Sequence, residues 1–460
     1  MNIFSTQSMK FDKNYNGLIL SVLIFLLVFF FSWWSKPSLI PSINLGDSPG
    51  YIGVAKDFSH PIVFIRPFFY PLIIRICMNI SELNWGILLS IFQILLHSII
   101  CVIIFHFYLK YNFSKLSSFI LTLFIGFNPS LIYWSIYLMP DFLLAVLTFL
   151  AWFFTIIFIQ KYNKNEKINI YLILIGFFSG LAIVTKPISI LGIVPFLFTY
   201  IIISKKSVYM LKAIILVLLI NFSFHLTWER YKEYNNPNST FEILDFIEHP
   251  INMTAIRGGL VDYGIGTPLY DRIKEKELLE SARKFKIKLS YSMDGDTNYW
   301  KFNKSLSWEI KNDKEFAINI LQKAPLKLFT YSISNWHAFF TKRCFGPGDG
   351  SFPFMPEIIR YFYTVGYALL YRPALAILLI FSLILFWRKR LFILLLSSSG
   401  ILLYASLSIA LLTPHGGEFP RYRVWIEYIM WFCALFPIGI LMEFYSRKLF
   451  SMFGKLIAKL

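Results

Sequence analysis

Long apolar runs separated by short polar connections dominate the chain. A membrane span needs about 20 mostly apolar residues, and ten runs approach that length: 17–35, 85–108, 116–135, 138–160, 169–185, 187–204, 210–228, 365–387, 391–412 and 424–444. The stretch 169–204 is too long for one span and is interrupted by Lys186-Pro187, which predicts a tight hairpin of two short helices. Between 229 and 364 the pattern changes, because this segment holds 17 of the 26 acids. It reads as helical, above all over 271–289 and 306–323, with a turn-rich piece at 345–350. At ~135 residues such a segment is long enough to bury a modest core. The pattern therefore predicts an all-α polytopic membrane protein with about ten transmembrane helices. Its parts are an N-terminal transmembrane module (1–228), a long outer loop domain between spans seven and eight (229–364) and a C-terminal transmembrane module (365–460).

Basic residues set the orientation. With the N-terminus inside, inner tails and loops carry seventeen Lys and Arg, whereas the short outer segments carry seven: Lys36, Lys56, Arg66, Arg75, Lys186, Arg421 and Arg423. Both termini are then cytoplasmic and the long loop is extracytoplasmic. The composition, 57% hydrophobic and 19% aromatic with only 15% charged residues, excludes an ordinary soluble enzyme. A net charge of +18 could suggest nucleic acid, but the inner basic residues sit at span ends, where anionic lipid headgroups lie. No nucleic-acid partner is expected. The first apolar run has no small-residue cleavage site before Lys36 and reads as a retained anchor. Cys77, Cys101, Cys344 and Cys433 are scattered, with neither disulfide nor zinc spacing.

The chemistry gathers on the outer face, starting with the first outer loop (36–84). Gly46, Pro49, Gly50 and Gly53 break its early part. After that, Tyr51, Ile52, Ala55 and Phe58, then Phe68, Phe69, Leu72 and Ile73, predict short helices lying on the bilayer. Asp47, Asp57 and Asp141 meet Arg66, Lys186, His415, Arg421 and Arg423 on that surface, with Glu418 in the last outer loop. Arginine can hold a phosphate through two hydrogen bonds and a carboxylate can take a proton from a hydroxyl, so the set suits a phosphorylated lipid headgroup. Each residue also has a plainer reading: Asp47 as a turn acid, Asp57 as a solvated face residue, Arg66 as a snorkelling side chain, Asp141 as a helix-start charge. His97, His106 and His225 read as packed or interfacial, and Asp294-Gly295-Asp296 as a turn rather than a metal site.

The segment G-D-S-P-G-Y-I-G-V-A-K-D-F followed by R-P-F-F-Y-P resembles the first outer loop of the GT-C membrane glycosyltransferases. The resemblance is in particular to the bacterial branch similar to protein O-mannosyltransferases and lipid A aminoarabinose or galacturonosyl transferases. M-P-D-F-L-L-A-V-L-T-F-L-A, G-L-A-I-V-T-K-P and P-R-Y-R are similar to later family segments in the same order, so that the likeness covers about 17–228 and 365–444. It implies Asp47 as catalytic base, Asp141 as the acid at the start of the fourth span, and Arg66 before Pro67 on the donor phosphate. Lys186, Tyr70, His415, Arg421 and Arg423 complete the donor set, with Asp57 and Glu418 as further candidates. Branches with paired acids in this loop use a metal. Here Asp47 is followed by Ser48-Pro49, which favours a metal-free polyprenyl-phosphate sugar donor without other cofactor.

The function expected is an inverting glycosyltransferase at the outer face of the cytoplasmic membrane, with a glycan, lipid or protein as acceptor. Rivals are a polysaccharide polymerase or ligase using diphosphate-linked glycans, and a lipid-linked sugar transporter or flippase. A transporter needs a midplane site, and the candidate spans carry few ionisable residues beyond Asp141 and Glu427. A reporter placed near Asp294 should be labelled only from outside; labelling from the cytoplasm alone would overturn the ten-span alternation.

Overall fold

The computed structural model describes residues 15–35, 47–59, 66–162, 169–186, 207–235, 245–285, 313–334 and 423–457, with single positions between 302 and 310 and between 358 and 406. Candidate spans 187–204 and 365–387 lie outside the described residues, as does nearly all of 391–412. The chain divides into two compact units: Met1–Trp228, Phe345–Gly400 and Val424–Leu460 form unit 1, while Glu229–Cys344 and Ile401–Arg423 form unit 2.

Unit 1 contains α1 (Tyr15–Trp34), α2 (Ser48–Lys56), α3 (Phe69–Ile80), α4 (Trp85–Lys110), α5 (Lys115–Gly126), α6 (Pro129–Ile136), α7 (Asp141–Tyr162), α8 (Asn169–Ile183) and most of α9 (Ser207–Asn235). Unit 2 contains α10 (Asp245–Arg257), α11 (Pro268–Glu275), α12 (Leu279–Lys284), α13 (Lys314–Lys323) and α14 (Pro325–Ser334), and the last helix, α15 (Glu427–Ile457), returns to unit 1. Among the described residues there is no strand, and five helices are long and apolar enough to cross a membrane, or six if α5 and α6 are one bent span. The protein is an all-α polytopic membrane protein.

Burial separates inner helices from outer ones. In α7, 83% of the apolar window is buried inside the protein, against 22% in α1. Ile24 and Val28 of α1 pack on Cys101 and Phe105 of α4, while Leu18, Ile19, Phe30 and Trp34 face outward. Outward apolar side chains of this kind belong to a lipid-facing surface. A Cβ on Gly126 would stand 2.4 Å from a methyl of Val28, so only glycine lets α5 approach α1 this closely. Deeper inside, Phe107 and Tyr108 of α4 stack on Phe432 of α15 with centroids 5.1 and 4.6 Å apart. The Tyr108 hydroxyl donates to the Phe432 carbonyl at 3.1 Å.

Some polar groups inside this layer are paired across helices. His97 lies 2.9 Å from the Gly126 carbonyl through Nε2, and 2.6 Å from the Tyr428 hydroxyl through Nδ1. A carbonyl only accepts, so Nε2 carries the proton and Nδ1 accepts from the tyrosine. His97 is therefore a packed core histidine. The run 116–135, expected as one straight span, is instead bent by 51° between α5 and α6. Asn128 makes the bend: its side-chain oxygen caps the Ser130 N–H at 2.9 Å, Pro129 follows at the first helical position, and its amide donates to Glu427 at 3.1 Å. Glu427 also accepts from the Trp431 indole at 2.9 Å, which gives this buried acid neutral donors at the kink.

Unit 2 has its own core, in which Met253, Ile256, Leu269, Ile273, Phe302 and Phe316 are central. The expected helix 271–289 is two helices within the described residues, because Glu277 takes a left-handed φ of +57° between α11 and α12. Within the expected helix 306–323, Ile310 is helical and α13 covers Lys314–Lys323, after Asp313. Asp313 is 6% exposed and serves two helices: one carboxylate oxygen caps the Phe316 N–H at 2.8 Å and the other accepts from the Leu269 N–H at 2.5 Å. Asp313→Ala should therefore lower the stability of unit 2 by about 2–3 kcal/mol. Asp313→Asn, with one acceptor oxygen, should lose less. Protection of unit 2 amides against hydrogen exchange reads both, and unchanged protection in Asp313→Ala would rule out the double cap.

Candidate active site

The site is built where α2, α3, the α6–α7 connection and the end of α8 meet in unit 1. Helix α2 starts after Asp47 with Ser48 and Pro49 in its first turn, and the Asp47 carbonyl accepts from Gly50 N–H at 3.1 Å and Tyr51 N–H at 3.4 Å. Tyr51, Val54 and Ala55 form its buried face. At its other end Arg75 of α3 donates to the Ala55 and Lys56 carbonyls, 3.1 and 2.7 Å away, and so closes the helix. The Ser48 hydroxyl donates to the Leu138 carbonyl at 2.8 Å, tying α2 to the residues just before α7.

Two ion pairs result. Arg66 Nη2 lies 2.5 Å from Asp47 Oδ1, with side chains 20% and 28% exposed. The Asp47 carboxylate makes no capping bond to α2. The Arg66 guanidinium rests on the Tyr51 ring, 5.1 Å from its centroid. The second pair joins Lys186 Nζ and Asp141 Oδ1 at 2.6 Å and is far more enclosed, with Asp141 2% and Lys186 13% exposed. Asp141 is the first residue of α7. Lys186 is brought to it because the chain turns after α8 and the Val184 carbonyl accepts the Phe69 N–H at 3.2 Å.

Tyr70 lies between the two pairs. Its ring meets that of Tyr51 edge-on at 5.5 Å, and its hydroxyl donates to Gln93 Oε1 at 3.2 Å. Burial, and after it the neighbouring Tyr51 and the charge on Asp141, push the Tyr70 phenol well above its ordinary pKa, so it stays protonated. Gln93 donates in turn to the Ser135 and Tyr137 carbonyls at 2.7 and 3.2 Å, holding the connection that leads to Asp141.

The structure thus brings together Asp47, Arg66, Tyr70, Asp141 and Lys186. It does not bring Asp57 to them: this exposed residue turns back on its own chain, accepting from the Ser59 N–H at 2.9 Å and hydroxyl at 2.6 Å. Arg423 is fully buried just ahead of a short 3-10 turn, Val424–Ile426. His415, Glu418 and Arg421 lie outside the described residues. Sequence reasoning gave no site role to Ser48, Tyr51, Arg75 or Gln93. Only Gln93 carried a signal, since an amide inside an apolar span is expensive and calls for a partner.

Residues 65–228, just over a third of the chain, match the family described as dolichyl-phosphate-mannose-protein mannosyltransferase. That family is of the GT-C type. Residues 65–228 are thus similar to a GT-C-type family of membrane glycosyltransferases. No curated protein and no solved structure matches the chain. The match contains four of the clustered residues, Arg66, Tyr70, Asp141 and Lys186, and leaves Asp47 outside it. Lys186→Ala should destabilise the protein by about 3–5 kcal/mol, because it strips its cation from a carboxylate that is almost wholly out of water. Combining it with Asp141→Asn should restore part of that loss. Thermal unfolding in detergent checks both, and a single variant as stable as the native chain would mean that the pair contributes nothing.

Proposed function

We propose that the chain moves one sugar from a polyprenyl-phosphate donor to a hydroxyl of a glycan, lipid or protein acceptor at the outer face of the cytoplasmic membrane, with inversion at the sugar carbon. The observation that carries this reading is the Asp47–Arg66 pair: a carboxylate and a guanidinium in contact, both partly open and neither used to close a helix. Asp47 takes the proton of the acceptor hydroxyl while the acceptor oxygen forms its bond to the sugar carbon. The bond from that carbon to the phosphate oxygen breaks, and polyprenyl phosphate leaves with the electron pair. Arg66 can turn its remaining N–H groups to the phosphate without leaving the carboxylate, since guanidinium has five. Lys186 adds a second positive charge. Such preorganised charge is usually the largest single term in a displacement of this kind.

Asp141 is too buried to meet an acceptor, and its part in the reaction is to hold Lys186 in place. Among the described residues no second carboxylate is poised as nucleophile beside Asp47, which supports inversion. An apolar cavity of about 350 Å³ in unit 1 supports a lipid-linked donor: Ile183, Leu218, Leu219 and Phe222 line it, and Ile183 stands only three residues before Lys186. The Asp47-Ser48-Pro49 sequence, without the paired acids of metal-using branches, supports a transfer that needs no metal.

Asp47→Asn keeps the size of the side chain and one acceptor toward Arg66, but it cannot take a proton. Transfer from a polyprenyl-phosphate sugar by the purified variant should fall about 10²–10⁴-fold, with folding retained. Transfer at near the native rate would end the assignment of Asp47 as base.

A further inference from the structure

Unit 2 carries a cleft of about 710 Å³, lined among others by Lys276, Ser281, Lys284, Phe285, Phe302 and Ser305. Its size falls in the range of ligand sites, roughly 300–1,000 Å³. Phe302 is 3% exposed and anchored in the core of the unit, and the ring of the half-buried Phe285 meets it at right angles with centroids 5.3 Å apart. The floor is therefore aromatic and fixed. Lys276 is drawn to the rim by donating to the Ser305 carbonyl, which uses one of its three N–H groups. Lys284 stands exposed on α12. The Ser305 hydroxyl donates to the Phe302 carbonyl at 2.7 Å, so toward a ligand it can act as an acceptor.

The sign of the charge in the cleft follows from where the nearby acids go. Glu275 is paired with Arg272 at 2.7 Å, and Glu280 and Asp262 both with Arg283 at 2.8 Å, while Glu277 is exposed in the link between α11 and α12 and does not line the cleft. No carboxylate is among the described residues that line the cleft. Two ammonium groups, two hydroxyls and a rigid aromatic floor remain. This combination suits a sugar that presents C–H groups to the rings, hydroxyls to the serines and a negative charge to the lysines.

We infer that this cleft binds an acidic saccharide, carrying a carboxylate or a phosphate, which is the acceptor or part of it. The inference rests on the reading of the chain as a glycosyltransferase. An aromatic floor alone would select sugars without regard to charge. The lysines make the charge decisive, and as point charges on flexible stems they accept either anionic group.

The test uses the full chain in detergent micelles and three probes: tetragalacturonate, phosphorylated maltotetraose and maltotetraose itself, titrated by calorimetry without donor. At least one acidic probe should bind tenfold or more tightly than the neutral one, weakening as salt is raised. Lys276→Ala with Lys284→Ala should reduce that binding at least tenfold, whereas Lys323→Ala, outside the cleft lining, should leave it unchanged; equal thermal unfolding of the variants confirms the fold. Binding of one acidic probe alone assigns the carboxylate or the phosphate as the recognised group. Equal affinity for neutral and acidic probes, no binding of any probe, or binding indifferent to the two lysines would overturn the inference. Because the titration measures binding without transfer, its outcome does not depend on Asp47 acting as base. A failed cleft and a failed transfer reading are thereby told apart.

Discussion

At the head of α7 a carboxylate lies almost wholly out of water, and taking a charge there costs several kcal/mol unless an opposite charge meets it. Lys186 meets Asp141, and much of the architecture follows. To deliver the ammonium, the chain must stop being helical soon after Ile183, which it does through Val184 and Thr185. The turn leaves the Val184 carbonyl without a helical partner, and Phe69 fills it at the start of α3. Once α3 begins there, Tyr70 is driven under the site and Arg75 reaches the carbonyl end of α2. One buried pair thus sets the positions of three segments distant in sequence.

Gln93 holds the same assembly from the side of α4. A primary amide has two donors and an acceptor with two lone pairs, and Gln93 uses both functions: it gives to the α6–α7 connection and receives from Tyr70. The enclosed half of the site is consequently rigid. The Asp47–Arg66 half is more open and rests on the Tyr51 face, a support that lets a guanidinium slide without losing contact. A fixed charge beside an adjustable pair is an arrangement suited to holding a phosphate while a proton changes hands.

Among the described residues, the positions of the long spans were legible because apolar runs of this length have few alternatives. The bend at Asn128-Pro129 was also written in the chain, since an Asn-Pro pair inside an apolar run marks a turn, but the run read as one span. Helix limits in the long loop were misplaced where a single backbone choice decides them, as at Glu277 and Asp313. Asp47, Arg66, Asp141 and Lys186 stood out as outer-face charges. What the sequence could not disclose was who pairs with whom, because the partners are 19 and 45 residues apart and meet only through the packing of α2, α3 and α8. Tyr70 is a case of the opposite kind: it was placed with the donor-binding set, yet it is 1% exposed with its hydroxyl engaged by Gln93.

The geometry of the first turn of α2 explains why an aspartate before a helix does not behave as one usually does. A capping residue has extended backbone, which aims its side chain at the second or third amide of the helix. Asp47 already has φ −89° and ψ −17°, turned into the helix, and its side chain points elsewhere. The amides it would have capped are also taken out of play. Pro49 has none, and the Gly50 N–H goes to the Asp47 carbonyl. Ser48, the other side chain at this end, is spent on the Leu138 carbonyl, which pins the turn to the site. The four residues Asp47-Ser48-Pro49-Gly50 therefore do together what none does alone. They start a helix without using the carboxylate, and they leave it facing Arg66.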